Sequence, residues 1–144
     1  MVTDGKTTFH SLATTASVGV CENLHVSVSV THTGPPGDVV VTAFLEFLNA
    51  SVPVPNLALV AFTKAYNMTD GETRVVSLTV EPEQRVVISN ETYQRTVEPQ
   101  PFRLWVGNGQ PEQKGGGAEY VSGESGVQEM TVSVTGVATV LKKC

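Results

Sequence analysis

Between residues 24 and 31 the chain alternates strictly, with Leu24, Val26, Val28 and Val30 on one parity and His25, Ser27, Ser29 and Thr31 on the other. Successive side chains of a strand point to opposite faces, so this stretch predicts a half-buried β-strand. After the turn GPPG at 34–37 the alternation stops. Residues 39–48 are apolar on both parities, interrupted only by Thr42 and Glu46, and LALVAFTKAY at 57–66 repeats the doubled pattern. A strand that is apolar on both faces belongs inside a layer stack, so its outward face needs a cover. The cover is expected from the N-terminal extension, from a long loop, or from another domain.

Period-two runs dominate the rest of the chain and predict strands at 7–18, 24–33, 39–48, 57–66, 73–80, 92–97, 102–106 and 129–137. Turn-forming stretches separate them: GPPG at 34–37, VPVPN at 52–56, TDGE at 69–72 and EPEQ at 81–84. Proline removes a ladder donor and glycine admits left-handed backbone, so each stretch ends a strand. Seven or eight strands in one 144-residue domain predict an all-β sandwich of two antiparallel sheets. Helix is confined to one expected turn around 82–85. The segment GNGQPEQKGGGAEYVSGESG at 107–126 has little apolar surface to offset the entropy of ordering, and is expected to be a mobile hairpin insertion.

Charge and composition narrow the chemistry. A net charge of −5 with nine scattered Lys and Arg offers no basic stripe for phosphates, so nucleic acid is not an expected partner. No window approaches the ~18 uninterrupted apolar residues of a membrane helix, and membrane insertion is not expected. Three sequons, at Asn49, Asn67 and Asn90, fit N-glycosylation and point to an exported protein of the extracellular space, the secretory pathway or a lysosome-like compartment. Cys21 and Cys144 either form one long-range disulfide, stay as two thiols, or leave Cys144 exposed at a truncated end. A zinc site needs more ligands than these and His10, His25 and His32 supply, and no cofactor is implied.

Sugar hydrolysis by a retaining route needs two carboxyls ~5 Å apart, one with a raised pKa. Most acidic residues fall in turns or at strand ends, where charges are solvated; Glu46 alone lies mid-strand, and a rim charge explains it better than catalysis. The histidines have no serine elbow or thiol beside them, so the chain by itself is expected to be non-catalytic. Strand parity places Arg103 and Trp105 together, opposite Phe102, Leu104 and Val106. With Tyr120 in the glycine-rich loop, they are the candidates for contact with a sugar or with a neighbouring domain.

The order of landmarks resembles the C-terminal fibronectin type III-like domain of glycoside hydrolase family 3 enzymes, the β-glucosidases and β-xylosidases. DGKTTFHS at 4–11 is similar to the segment by which such domains leave the catalytic part, and VSVSVTHTGPPGDVVVTAFLEF at 26–47 to their alternating strand, Thr-x-Thr-Gly turn and aliphatic strand. PNLALVAFTKAYNMTDGETRVVSLTV at 55–80 resembles the run that ends in a Gly-Glu turn, and VEPQPFRLWVGNG at 97–109 the closing signature. Departures are His32 for the usual Asn, Gln100 for the usual Gly, and a longer insertion after Asn108. Residues 59–62 with Asn67 are closer to the xylosidase branch. The resemblance implies an immunoglobulin-like, fibronectin type III-like sandwich that braces the catalytic domains of its own parent chain. The competing readings are a carbohydrate-binding module, and an adhesion or receptor domain with no enzyme attached.

Overall fold

The computed structural model describes residues 6–48, 57–88, 93–109 and 127–144, and the backbone of 112–113 and 120–121. In chain order the strands are β1 Lys6–His10, β2 Thr15–Gly19, β3 Leu24–Thr33, β4 Gly37–Phe47, β5 Ala58–Met68, β6 Thr73–Val80, β7 Val86–Ile88, β8 Arg95–Val97, β9 Phe102–Gly107, β10 Glu112–Gln113, β11 Tyr120–Val121, β12 Gln128–Thr135 and β13 Thr139–Val140. Eight of them build the expected sandwich, one sheet in the order β1-β3-β6 and the other β2-β12-β9-β4-β5. A small sheet, β13-β8-β7, and the hairpin β10-β11 complete the described strands.

The alternation of β3 does what its parity requires. Leu24, Val26, Val28 and Val30 are buried and lie opposite Val80, Leu78, Val76 and Arg74 of β6. The facing sheet supplies Val39, Val41, Ala43 and Leu45 from β4, Phe102, Leu104 and Val106 from β9, and Met130, Val132 and Val134 from β12. Burying one such Val, Leu or Phe side chain contributes roughly 1.5–3 kcal/mol, so this double layer dominates stability.

Three expectations are corrected. The single strand expected at 7–18 is two strands in different sheets: Ser11 takes a left-handed φ of 63°, the chain leaves β3 after His10, and it joins the other sheet as β2. The second sheet is not wholly antiparallel, because β2 runs parallel to β12 while β12, β9, β4 and β5 alternate in direction. The small strands β7 and β13 were not expected, being too short for a period to register. The turn expected around 82–85 is a 3-10 turn, Pro82–Arg85, closed by a capping box in which Gln84 accepts from the Glu81 N–H at 2.7 Å. In the glycine-rich segment β10 pairs antiparallel with β11, and the expected mobility concerns residues outside those described.

The turn between β5 and β6 is stitched to the end of β3. Gly71 (φ 80°) donates to the His32 carbonyl at 2.7 Å, and His32 donates back to the Glu72 carbonyl at 2.9 Å. His32 itself is buried, its Nε2 2.7 Å from the Pro35 carbonyl. The Glu72 carboxylate receives the Thr69 backbone N–H at 2.9 Å and Arg74 Nη2 at 2.6 Å. The Thr69 bond first, and then Arg74, hold its pKa below the ordinary carboxylate value. A depressed folded-state pKa stabilises above the unfolded value and ceases to do so as pH falls through the folded one. Glu72→Gln should therefore lower the melting temperature at neutral pH, and the gap to wild type should close below about pH 4. A gap that stays constant on acidification would refute this linkage.

Candidate docking face

The two doubled strands are neighbours, and the sheet places their outward parities on one surface. On β4 these positions are Val40, Thr42, Phe44 and Glu46, all partly buried. On β5, an edge strand, Leu59 is 52% exposed, Phe62 67% and Tyr66 62%. Register sets Lys64 opposite Val40, Phe62 opposite Thr42 and Leu59 opposite Phe44, so the apolar groups adjoin. The register shift between Ala43 and Phe44 is a β-bulge, which twists the strand where the patch is most apolar. Other exposed apolar side chains, such as Val75, Ile88 and Val137, lie on other strands or connections and need no cover. The surface continues around the sheet edge as an open groove between residues 59–63 of β5 and 77–79 of β6, where the two sheets meet.

The other flank of this face is polar and built around β9. Trp105 lies opposite Phe44 on β4 and Glu129 on β12, and Arg103 opposite Glu46 and Thr131. The indole N–H donates to Glu46 Oε1 at 3.1 Å, and Arg103 Nη1 reaches the same oxygen at 3.3 Å. Arg103 Nε is 3.0 Å from Glu129 Oε1, and the guanidinium lies 5.7 Å from the centre of the Trp105 ring. A buried indole needs an acceptor and a buried carboxylate needs donors; each supplies the other.

Arg103 and Trp105 are thus side by side as parity required, but the ring does not lie open as stacking on a sugar would require. Trp105 is 0% exposed, so its face cannot serve as a stacking platform for sugar. Parity tells which side of the sheet a ring takes and nothing of what lies over it. The side chain of Tyr120, and Asn49 and Asn90, lie outside the described residues; Asn67 is exposed at the end of β5. Cys21 and Cys144 are bonded as a disulfide, with Cα atoms 5.1 Å apart.

Among the described residues the other titratable groups do not assemble into a reaction centre. His10 meets Ser11 Oγ at 3.2 Å, but its other ring nitrogen faces the Thr31 hydroxyl at 3.0 Å where a carboxylate would be needed. His25 pairs with Thr79 across the first sheet. Glu81 has its pKa raised by the hydrogen bond that its protonated carboxyl donates to Glu83 and by that neighbour's charge, at an exposed turn. Among the described residues no group of three metal-ligating side chains forms. Arg85 escaped the sequence reading: it is 2% exposed and donates to the Glu22 carbonyl, and burial lowers its pKa. Its only signal was a position after the turn EPEQ, which does not distinguish a buried arginine from a solvated one.

The sequence model of the fibronectin type III-like domain matches residues 39–110, half of the chain. The chain belongs to the fibronectin type III-like domain family. The matched part of this fibronectin type III-like domain runs from β4 through β9, the strands that carry both flanks of the face. Solved structures of similar fold include the β-glucosidase of Listeria innocua in complex with glucose, at 23% identity and TM-score 0.67 over 93% of this chain and 16% of that one. Another is β-glucosidase 3B of Thermotoga neapolitana with α-D-glucose, at 18% identity and TM-score 0.70 over 94% of this chain and 17% of that one. The GH3 β-glucosidase of Bifidobacterium adolescentis is similar at 18% identity and TM-score 0.68, over 89% and 17%. The fibronectin type III-like domain therefore spans about a sixth of the length of these enzymes. No curated protein sequence matches it.

Proposed function

We propose that this fibronectin type III-like domain is the non-catalytic accessory domain of a family 3 glycoside hydrolase of β-glucosidase or β-xylosidase type. It braces the catalytic domains of the same parent chain by rigid docking through the outer face of β4 and β5. One observation carries the reading: Leu59, Phe62 and Tyr66 stand exposed on one face, with Lys64 between the last two, beside half-buried Val40 and Phe44. Burying a Leu or Phe contributes roughly 1.5–3 kcal/mol, so three such groups on one face favour a partner strongly. The polar flank of Glu46, Arg103 and Glu129 suits the rim of such an interface, which typically surrounds an apolar centre. About 800 Å² per side suffices for a stable contact. The likeness to β-glucosidases more than five times its length supports a piece of a larger enzyme. Against a carbohydrate-binding module stands the buried ring of Trp105.

The test is Phe62→Asp in the parent enzyme and, separately, in this chain alone. Phe62 makes little internal contact, so the isolated domain should melt within about 1 °C of wild type. In the parent, a charge placed at the centre of a buried contact should lower the melting temperature by several degrees and reduce glycosidase activity severalfold. A parent enzyme indifferent to the substitution would overturn the docking face.

A further inference from the structure

We propose that Asn67 is an N-glycosylation site, receiving an oligosaccharide from a lipid-pyrophosphate donor as the chain enters a secretory compartment. The sequon is Asn67-Met68-Thr69. Met68 is fully buried, and the register shift between Gly37 and Val39 breaks the alternation of β5, so that Tyr66 and Asn67 are both turned out to solvent. Asn67 takes a left-handed φ of 51°, and its backbone N–H donates to Asp38 Oδ1 at 2.9 Å. Its carboxamide makes no hydrogen bond among the described residues, so attachment of a sugar to Nδ2 breaks none of theirs. Thr69 is also exposed, its hydroxyl 3.3 Å from Glu72 Oε1. In the transfer, Nδ2 forms a bond to the anomeric carbon, and the bond from that carbon to the pyrophosphate oxygen breaks. The lipid pyrophosphate leaves with the electron pair, the amide proton passes to base, and nothing is oxidised or reduced.

A second observation points to the same compartment. Cys21 and Cys144 form a disulfide, a bond that persists in the oxidising lumen where N-glycans are added. A glycan on Asn67 would stand beside Tyr66 and Asp38, at the end of β5 away from Leu59. It leaves the opposite end of the apolar face free and shields one end of an edge strand from pairing with other chains.

The full chain, secreted from a eukaryotic host behind a cleavable leader, provides the test. The protein from the medium is treated with a glycan-releasing amidase in ¹⁸O water and digested with trypsin, and the peptide at 65–74, AYNMTDGETR, is read by mass. It contains a single asparagine. Most copies should carry an ¹⁸O-labelled aspartate at 67, and the label should vanish in Thr69→Ala and persist in Thr69→Ser. An unmodified peptide from the secreted wild type overturns the proposal whatever the state of Asn49 and Asn90. So does a label that survives in Thr69→Ala, since that would be spontaneous deamidation.

Discussion

Trp105→Ala is expected to lower the unfolding free energy by about 3–5 kcal/mol, the range for truncating a buried Trp. The ring is fully enclosed on the outer side of the five-stranded sheet, between Phe44 of β4 and Glu129 of β12. Its loss leaves a cavity and takes one of the two donors that Glu46 has among the described residues, the other being Arg103 at 3.3 Å. The urea midpoint should fall with an unchanged m-value, followed by far-UV circular dichroism because the sole Trp is the residue removed. For a domain of this size the melting temperature should drop roughly 10 °C or more. Trp105→Phe keeps most of the volume and deletes the N–H, and should cost about 1–2 kcal/mol. The two variants separate packing from hydrogen bonding. If Trp105→Ala cost less than about 1 kcal/mol, the ring would be open to solvent, as a sugar platform requires.

Removing the disulfide should have a comparable effect by a different route. Cys21 and Cys144 are 123 residues apart in sequence, so the bond closes nearly the whole chain into one loop. In the chain-entropy treatment a loop of about a hundred residues restricts the unfolded state by about 4–5 kcal/mol, and little of that effect depends on contacts in the folded state. The bridge ties the turn after β2 to the 3-10 turn Leu141–Lys143, next to the Glu22 carbonyl that accepts from buried Arg85. Cys144→Ser should lower the urea midpoint by an amount equivalent to 2–5 kcal/mol, and amide exchange should rise first in β13. Equal midpoints for the oxidised and reduced proteins would show that the bond contributes nothing.

The landmarks from Val39 onward and the match of the family at 39–110 fall on the same strands, β4 to β9, while those at 4–11 and 26–33 lie on β1 and β3 before it, and this overlap has a physical basis. Positions such as the turn at 69–72 and the run Phe102 to Gly107 are governed by local rules: a left-handed glycine, or a parity that must meet a core. Such rules are written in consecutive residues. In the small sheet β13-β8-β7, β8 falls within the strand expected at 92–97, but β7 and β13 have no comparable signal, since strands of two or three residues form where the folded body brings them together.

By itself the sequence determined the sandwich, the inward set of β3, and the doubled face of β4 and β5, because side-chain alternation is a local property of extended backbone. It also brought Arg103 and Trp105 to one side of β9. Only the tertiary structure decided that the first strand divides between two sheets, that β2 runs parallel to β12, that Trp105 is covered and bonded to Glu46, and that Cys21 meets Cys144. Each of these depends on which distant segment arrives as neighbour, and the energy of that choice is shared among contacts far apart in the chain. Parity assigns a side chain to a face; only the packed neighbours decide whether that face is wet.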